Sequence, residues 1–445
     1  PLVNKILKKQ GLLLFWISII GSGLLFYYQA HFVDRSDSAH LLLSIYALFV
    51  LFSIQFLCAK HLKLWNWALA AILLRLSVID STPWLSDDYF RFLWDGILQL
   101  EGYNPFSFTP VELVEIAHFQ HQSILLEKMN SEAFYSVYPP ACQWIFYAAA
   151  KIASGNLPTQ ILILKIFIFL FEVGSIIFLL KLLEFLKAPL FLSVLYLLNP
   201  IVIIELTGNI HFEAGMILSC LGAFYFMLRK NYVLSSIFLA LGIVFKLWPL
   251  LFILPLFIVL EKKKALLISS LTIILTLLFF SPFYFQGMLE NFSSSLKLYF
   301  NHFEFNAGIY HWVKTALDQS VGFDKRIELI HLYRGFTILL MLLFLWKFRQ
   351  FNKAENWLFH SLGLLGIYLL SSSVIHPWYI MPLIAFAVPF RIYFPLFWTL
   401  LIPLSYLAYR VHPPEELFWL NTIIHLSLIL FLAIELTIKR KMLVT

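Results

Sequence analysis

The chain has 445 residues and a net charge of +7; 61% of its residues are hydrophobic and 18% are aromatic. A soluble protein of this length has only about half of its residues apolar, so this composition excludes a soluble protein and predicts an all-α polytopic membrane protein. The lysines and arginines lie at the ends of apolar segments, as the positive-inside rule requires. They form no basic face with interleaved aromatic residues, so nucleic-acid binding is not expected.

Nucleotide-binding and metal-binding motifs are missing from the sequence. It contains no Walker A loop, no glycine-rich dinucleotide loop, no HExxH sequence and no zinc-ligand spacing. The cysteines Cys58, Cys142 and Cys220 are far apart, and we interpret them as small buried side chains. The sequence therefore requires no cofactor.

Apolar segments long enough to cross a bilayer recur along the whole chain. Because some of these segments are short, neighbouring ones are expected to form broken helices, and the bundle should contain about 12–14 transmembrane helices. The segment 139–155 begins with two prolines and is expected to be a re-entrant or interfacial helix that does not cross. The predicted spans are 11–31, 41–59, 64–79, 160–180, 189–206, 211–228, 231–247, 249–260, 265–285, 332–348, 357–374, 377–390, 393–409 and 416–436.

The distribution of lysine and arginine predicts the orientation of these spans. If the basic residues of segment 5–9 lie in the cytosol, at the start of a retained anchor, the third span ends on the outer side. The polar or proline-marked breaks and the hydrophilic loops 80–138 and 286–331 then share the outer face, which predicts a single active cavity there. Segment 111–137 is expected to form an amphipathic helix on the membrane surface.

The stretch Asp87-Asp88-Tyr89-Phe90-Arg91-Phe92-Leu93-Trp94-Asp95-Gly96 gathers three carboxylates and a guanidinium in a chain with only 13% charged residues. Such charges are costly beside an apolar segment unless they meet water or a partner. The first two carboxylates could simply cap a helix. However, Arg91 and Asp95 follow Asp88 at helical spacing, which favours a site where one carboxylate accepts a proton from an alcohol. A divalent metal near these carboxylates is an alternative that the sequence does not require.

Polar residues at three later breaks are further candidates. His211 and Glu213 lie between two predicted spans, where solvation at the interface is the alternative to a role in the cavity. Lys246 lies deep in an apolar run; it could extend to the interface, but we favour binding of a lipid phosphate. His376 and Tyr379 flank a Pro-Trp pair that could instead belong to an interfacial aromatic belt.

The order of these motifs resembles that of the GT-C glycosyltransferases, which are integral membrane enzymes. The chain is similar to their polyprenol-phosphate-mannose-dependent branch, which includes the catalytic subunit of GPI mannosyltransferase I and bacterial relatives. The acidic pair follows the third predicted span here, whereas in the family it often follows the first. The motifs that carry the resemblance are the run from Asp87 to Gly96, Gly102-Tyr103-Asn104-Pro105-Phe106, Tyr138-Pro139-Pro140, Leu198-Asn199-Pro200, Gly208-Asn209, Phe245-Lys246-Leu247-Trp248-Pro249-Leu250 and Pro377-Trp378-Tyr379.

The resemblance implies transfer of a hexose, with mannose as the first candidate, from a polyprenyl-phosphate sugar to a lipid-linked or glycan acceptor. The reaction would invert the anomeric carbon at the extracytoplasmic face, in a bacterial inner membrane with the site facing the periplasm. Asp88 would be the general base, supported by Asp87. The implied substrate-binding residues are Arg91, Asp95, Asn104, Tyr138, His211, Glu213, Lys246, His376 and Tyr379.

The same resemblance implies a division of the chain. A GT-C-like catalytic transmembrane module would occupy 1–285, a second outer loop 286–331 and C-terminal transmembrane helices 332–445, with short amphipathic helices in the outer loops. Two other functions stay open. A lipid or sugar transporter or flippase would use Lys246 and Glu172 as coupling charges, and a non-catalytic subunit of a glycan assembly complex would tolerate loss of the acidic pair.

Overall fold

Helices form nearly all of the regular structure. The structure is a computed structural model, and it describes residues 2–117, 123–320, 323–411 and 415–444. Within these residues the only β-type pairing is an isolated bridge between Phe305 and Val374. The predicted all-α class of a polytopic membrane protein is confirmed.

The α-helices follow one another with short connections through most of the chain. Their bounds are α1 (Leu2–Phe32), α2 (Ser38–Ala59), α3 (Leu64–Leu76), α4 (Asp88–Leu100), α5 (Pro110–Ala117), α6 (Ser123–Lys128), α7 (Pro140–Ala153), α8 (Leu157–Phe185), α9 (Val194–Leu197), α10 (Pro200–Ile203), α11 (Glu213–Leu228), α12 (Tyr232–Phe245), α13 (Leu256–Val259), α14 (Lys262–Phe280), α15 (Met288–His302), α16 (Ile309–Ser320), α17 (Phe323–Lys347), α18 (Trp357–Leu370), α19 (Met381–Ala387), α20 (Phe394–Leu401) and α21 (Phe418–Val444).

Fewer helices than predicted are long enough to cross a membrane on their own. Among the described residues, six pass by length and composition, and a seventh is added if the pair Leu190–Leu197 and Pro200–Gly208, bent by 55°, is one span. The predicted number of about 12–14 is reached only if shorter apolar helices also cross. The six long spans are Gln10–Phe32, Ser38–Ala59, Leu157–Phe185, Lys262–Phe283, Glu328–Lys347 and Phe418–Ile438.

Several predicted segments are interrupted where the sequence contains proline or polar residues. The segment 249–260 is a 3₁₀ helix, Trp248–Ile253, followed by α13. The segment predicted as one amphipathic helix over 111–137 contains two short helices, α5 and α6, and its residues 118–122 lie outside the described residues. Residues 129–137, which follow α6, are not helical, so one helix over 111–137 was the wrong expectation. The helix α7 has 14 residues, which gives about 21 Å of length, short of the roughly 30 Å of a bilayer core.

Several helices begin after a capping side chain. Asp37, Asn156 and Asn231 precede α2, α8 and α12, and each accepts a hydrogen bond from a backbone N–H of the first turn. Such caps satisfy N–H groups that have no partner within the helix. Asn199 does the same before Pro200, and this is why the chain can bend there inside an apolar region.

Two motif glycines are required by close packing. A Cβ atom at Gly96 would lie 2.3 Å from the carbonyl oxygen of Phe146, so only glycine lets α4 approach α7 this closely. A Cβ atom at Gly208 would lie 2.6 Å from the Trp84 ring. The first contact brings α4 against α7, and the second brings the segment before α4 against the bent pair.

A buried ion pair joins three N-terminal elements. The Arg75 guanidinium donates to Glu172 through Nε at 2.8 Å, and both side chains are fully buried. Its Nη1 also donates to the carbonyl of Leu197 at 2.8 Å, and Thr207 donates to the second carboxylate oxygen. The pair therefore ties α3 and α8 to both halves of the bent pair.

We predict that Arg75→Met lowers the free energy of unfolding by roughly 3–5 kcal/mol, because it leaves the Glu172 carboxylate buried without its cation. The double variant Arg75→Met with Glu172→Leu should recover much of that loss, since no uncompensated charge remains. Denaturant unfolding of the detergent-solubilised protein measures both. A double variant no more stable than the single one would contradict this account of the pair.

Candidate active site

The segment that leads into α4 is anchored by hydrogen bonds from two other elements. The backbone N–H groups of Trp84 and Leu85 both donate to Asn209 Oδ1 at 2.9 Å. The buried Lys165 ammonium donates to the Val78 carbonyl and to Ser81 Oγ, each at 2.7 Å. These bonds fix the position at which the acidic pair begins α4.

Asp87 lies at the N-cap position of α4 but accepts no capping hydrogen bond. Its carboxylate instead accepts a hydrogen bond from Arg35 at 2.8 Å, and each side chain is 33% exposed. The Arg35 guanidinium also lies over the Tyr409 ring, 5.2 Å from its centroid. Asp87 thus forms an ion pair with Arg35, which lies in the loop between α1 and α2.

Asp88, the predicted base, faces a different set of groups. Its carboxylate is half-buried, accepts a hydrogen bond from the Tyr138 hydroxyl and lies 3.5 Å from Asn130 Nδ2. Burial raises the pKa of Asp88 above its ordinary value, and the nearby His211 and Lys246 counteract part of this rise. A carboxylate with a raised pKa accepts a proton more readily.

Lys246 ends α12 in an extended conformation and enters a cage of acidic and aromatic side chains. Its Nζ atom donates to Glu213 at 2.7 Å. It also lies 4.3 Å from the ring centroid of Tyr379 and 4.7 Å from that of Trp248. The Lys246 side chain is 27% exposed, whereas that of Glu213 is only 3% exposed, so part of the lysine stays accessible beside the pair.

His211 and His376 lie on opposite faces of Trp378. The ring centroids of His211 and Trp378 are 3.7 Å apart at 13°, and those of His376 and Trp378 are 4.3 Å apart at 4°. Burial, together with the nearby His211 and Lys246, lowers the pKa of His376 to about 3. His376 is therefore neutral at physiological pH and serves as an aromatic ring in this stack.

Arg91 and Asp95 pair with each other inside the protein. Arg91 Nε donates to Asp95 Oδ1 at 2.7 Å, and the guanidinium also donates to the carbonyls of Ser131 and Phe134. Ser136 donates to the other oxygen of Asp95 at 2.6 Å. These contacts hold the segment that leads to Tyr138, and the predicted substrate-binding roles of Arg91 and Asp95 stay predictions.

Asn104 lies apart from the groups around Asp88. Its Nδ2 atom donates to the Phe283 carbonyl at 2.7 Å, and its Oδ1 accepts from the Phe106 N–H at 3.0 Å. This arrangement joins the turn of the first loop to the end of α14. Around Asp88 and Lys246 the structure thus brings together Tyr138, His211, Glu213, His376 and Tyr379, whereas Asp87, Arg91, Asp95 and Asn104 make the other contacts described above.

Glu205 is the main polar residue of this region that the sequence analysis missed. It is fully buried, and its carboxylate accepts a hydrogen bond from the Tyr406 hydroxyl and lies 3.2 Å from His211 Nδ1. A single acidic residue inside the apolar run Ile203-Ile204-Glu205-Leu206 is a signal that could have identified it. Arg35 and Tyr406 gave no comparable signal, because their partners are distant in sequence.

The acidic residues do not converge on a shared point. In the parts of the chain that the structure describes, no group of three or more His, Cys, Asp or Glu side chains is close enough to hold a metal ion. The carboxylates of the first stretch instead face three separate partners: Arg35 for Asp87, Tyr138 for Asp88 and Arg91 for Asp95.

Comparisons with known proteins bear on this arrangement. Residues 35–261 match the model of the MptA_B family, described as the N-terminal domain of an alpha-(1->6)-mannopyranosyltransferase. A stretch of 221 residues is 30% identical to GPI mannosyltransferase 1 of Kluyveromyces lactis, covering 44% of this chain and 52% of that protein. The chain thus spans about half the length of this curated relative. No solved structure matches the chain.

The matched region contains the bent pair, Asp88, His211 and Lys246, whereas Tyr379 and Tyr406 lie beyond it. The resemblance to GT-C mannosyltransferases that the motifs indicated is confirmed by these comparisons. The family match extends over half of the sequence and includes Asp88, the predicted general base. The chain therefore belongs to the MptA_B family of GT-C-type mannosyltransferase-like membrane proteins.

Proposed function

We propose that this protein transfers a mannosyl group from a polyprenyl-phosphate mannose to an acceptor hydroxyl at the extracytoplasmic face of the membrane. The observation that carries the proposal is that Asp88, a carboxylate with a raised pKa, lies close enough to the partly exposed Lys246 side chain for the two charges to interact. Family membership supports mannosyl transfer. The donor, the stereochemistry and the sidedness belong to the proposal.

Asp88 would act as the general base. As the acceptor oxygen forms its bond to the anomeric carbon, its proton passes to the Asp88 carboxylate, and the bond from that carbon to the phosphate oxygen breaks. A single displacement of this kind inverts the anomeric centre. The family description names an alpha linkage, so an inverting reaction would require a β-linked donor.

Lys246 would stabilise the leaving phosphate. Negative charge develops on the phosphate oxygen as the sugar leaves, and a fixed ammonium in a partly dehydrated site stabilises that charge strongly. Glu213 and the rings of Trp248 and Tyr379 hold the ammonium in place. In this proposal Arg91 acts indirectly, because its contacts hold the segment that presents Tyr138 to Asp88.

Contacts between loops support an outward-facing site. His31 at the end of α1 lies 3.6 Å from Asp80, which follows α3, and Arg35 pairs with Asp87. The ends of α1 and α3 therefore meet, opposite the basic link Lys60 to Lys63 between α2 and α3, and the positive-inside rule assigns that link to the cytosol. A cytosolic nucleotide sugar could not reach a site on the other side, whereas a lipid-linked donor could.

A transporter would need charges that can change partners. Glu172, one of its two proposed coupling charges, is fully buried against Arg75 and Thr207. A buried pair of this kind is costly to open, so this contact supports the transferase over the transporter.

We predict that Asp88→Asn lowers the turnover number at least about 100-fold, because the amide cannot accept the acceptor's proton. The assay incubates the purified protein with a panel of polyprenyl-phosphate sugars and acceptors and follows donor consumption by mass spectrometry. The wild-type rate should fall as pH decreases through the raised pKa of Asp88, so its acid limb should lie above the ordinary value of 3.8.

Asp80→Asn is the matched control, since Asp80 lies in the same loop and its side chain is 65% exposed. It should transfer mannose like the wild type. Full activity in Asp88→Asn, or an acid limb at the value of an ordinary aspartate, would contradict the base assignment.

We predict that Lys246→Gln weakens use of the donor by about 10–100-fold in kcat/KM, because a charge-assisted bond to the phosphate is lost. The acceptor KM should change little, and steady-state kinetics with each substrate varied in turn separates the two. Lys264→Gln, which alters an exposed pair with Glu261, is the control. Unchanged donor kinetics in Lys246→Gln would exclude the phosphate role.

We predict that a cysteine placed at Ser36 reacts with a membrane-impermeant maleimide in intact cells, because the exposed loop after α1 would face outward. A cysteine at Lys262, which is exposed at the start of α14, should react only after the membrane is opened. The native cysteines are buried and should give little background. The reverse labelling pattern would place the site on the cytosolic side.

A further inference from the structure

The imidazole of His211 is held on one edge by two oxygens of a single residue. Its Nδ1 atom lies 2.7 Å from the backbone carbonyl oxygen of Glu205 and 3.2 Å from the carboxylate oxygen Oε2. A carbonyl oxygen can only accept a hydrogen bond. Nδ1 therefore carries a proton, and in the neutral imidazole Nε2 then carries the lone pair.

Nε2 is buried and has no hydrogen-bond partner among the described residues. The His211 side chain as a whole is only 2% exposed. A buried polar atom without a partner costs free energy unless a ligand or water completes it. Because the opposite edge of the ring is fixed on Glu205, Nε2 is left to accept a hydrogen bond from a ligand.

The plane of the ring is fixed as well. Trp378 stacks against His211 at 3.7 Å, and His376 covers the other face of the Trp378 ring. Both faces of this tryptophan are thus occupied, so it cannot serve as a stacking platform for a sugar. Its role is to restrain the histidine.

Glu205 is restrained from the C-terminal half of the chain. The Tyr406 hydroxyl donates to Glu205 Oε1, and both side chains are buried. A buried carboxylate needs such donors to keep one position. Tyr406 therefore fixes Glu205, and Glu205 fixes His211.

We propose that Glu205 is a positioning residue, which orients His211 so that Nε2 accepts a hydrogen bond from a hydroxyl group of the donor's mannosyl ring. This inference rests on the proposed function, which places the sugar between the base and the phosphate-binding lysine. A chain of ring contacts connects His211 to Lys246. Trp378 stacks between His211 and His376, the ring centroids of His376 and Tyr379 are 5.3 Å apart, and Lys246 Nζ lies 4.3 Å from the Tyr379 centroid. A mannosyl ring between Asp88 and Lys246 would therefore lie beside His211.

The experiment measures the dissociation constants of a short-chain polyprenyl-phosphate mannose and of its four deoxy analogues for the purified full chain. For the wild type, one deoxy analogue should bind about tenfold more weakly than the parent donor. The ratio of the deoxy to the parent dissociation constant should then be about ten. In His211→Asn, which can keep the bond to the Glu205 carbonyl but has no group at the Nε2 position, this ratio should fall to about one. His211→Gln, which can place an oxygen near that position, should retain part of the ratio.

The positioning role is tested by the same ratio in Glu205→Gln and Tyr406→Phe. Both should lower it, whereas Tyr46→Phe, which removes a hydroxyl bonded to the Leu400 carbonyl, should not. A purely structural role would weaken parent and deoxy donors equally and leave the ratio unchanged. Tyr406→Phe removes one oxygen only and covers the case in which Glu205→Gln fails to fold.

Two outcomes overturn this inference: no deoxy analogue is discriminated by the wild type, or the ratio persists in His211→Asn. Either can occur while the wild type transfers mannose, so the proposed function would survive. Conversely, a ratio that His211→Asn abolishes, in a protein that transfers mannose to no acceptor, would support the inference on the donor hydroxyl and reject the transferase.

Discussion

The hydrogen bonds from the backbone of Trp84 and Leu85 to Asn209 are the contact on which the rest of the site depends. Within an apolar bundle, a break in a helix leaves N–H and C=O groups that must find partners inside the protein. Here the break before α4 and the break after the bent pair satisfy each other. Because two breaks meet, the polar side chains beside them also meet, and Asp88 and His211 come to face one site.

The buried charges of this protein divide into two kinds. Arg75 with Glu172, and Arg91 with Asp95, are almost fully buried and make several hydrogen bonds that join helices or loops. Such pairs fix the geometry of a fold more than they add to its stability. Lys246 and Asp88 are different, because each keeps an exposed side while its neighbours hold it. A reacting side chain must be accessible to the substrate while its neighbours hold it in position.

Much of this arrangement could be predicted from the sequence, for reasons specific to certain residues. Apolar length identified the long helices, and charge in an apolar setting identified Asp88 and Lys246 as candidates. The contacts of Arg35 with Asp87 and of Tyr406 with Glu205 could not be predicted, since they join residues far apart in the chain. Arg91 shows the limit of spacing arguments: it follows Asp88 at helical spacing, yet its guanidinium pairs with Asp95 one turn further on.

The Tyr406 hydroxyl, bound to Glu205, has a consequence for the biosynthesis of the protein. A ribosome releases the chain from its N-terminus, and earlier segments enter the membrane first. The Glu205 carboxylate therefore lacks the Tyr406 hydroxyl until about two hundred further residues have been translated. The last donor to this buried acid thus comes from one of the last segments of the chain to be made, so the site around His211 is completed late in synthesis.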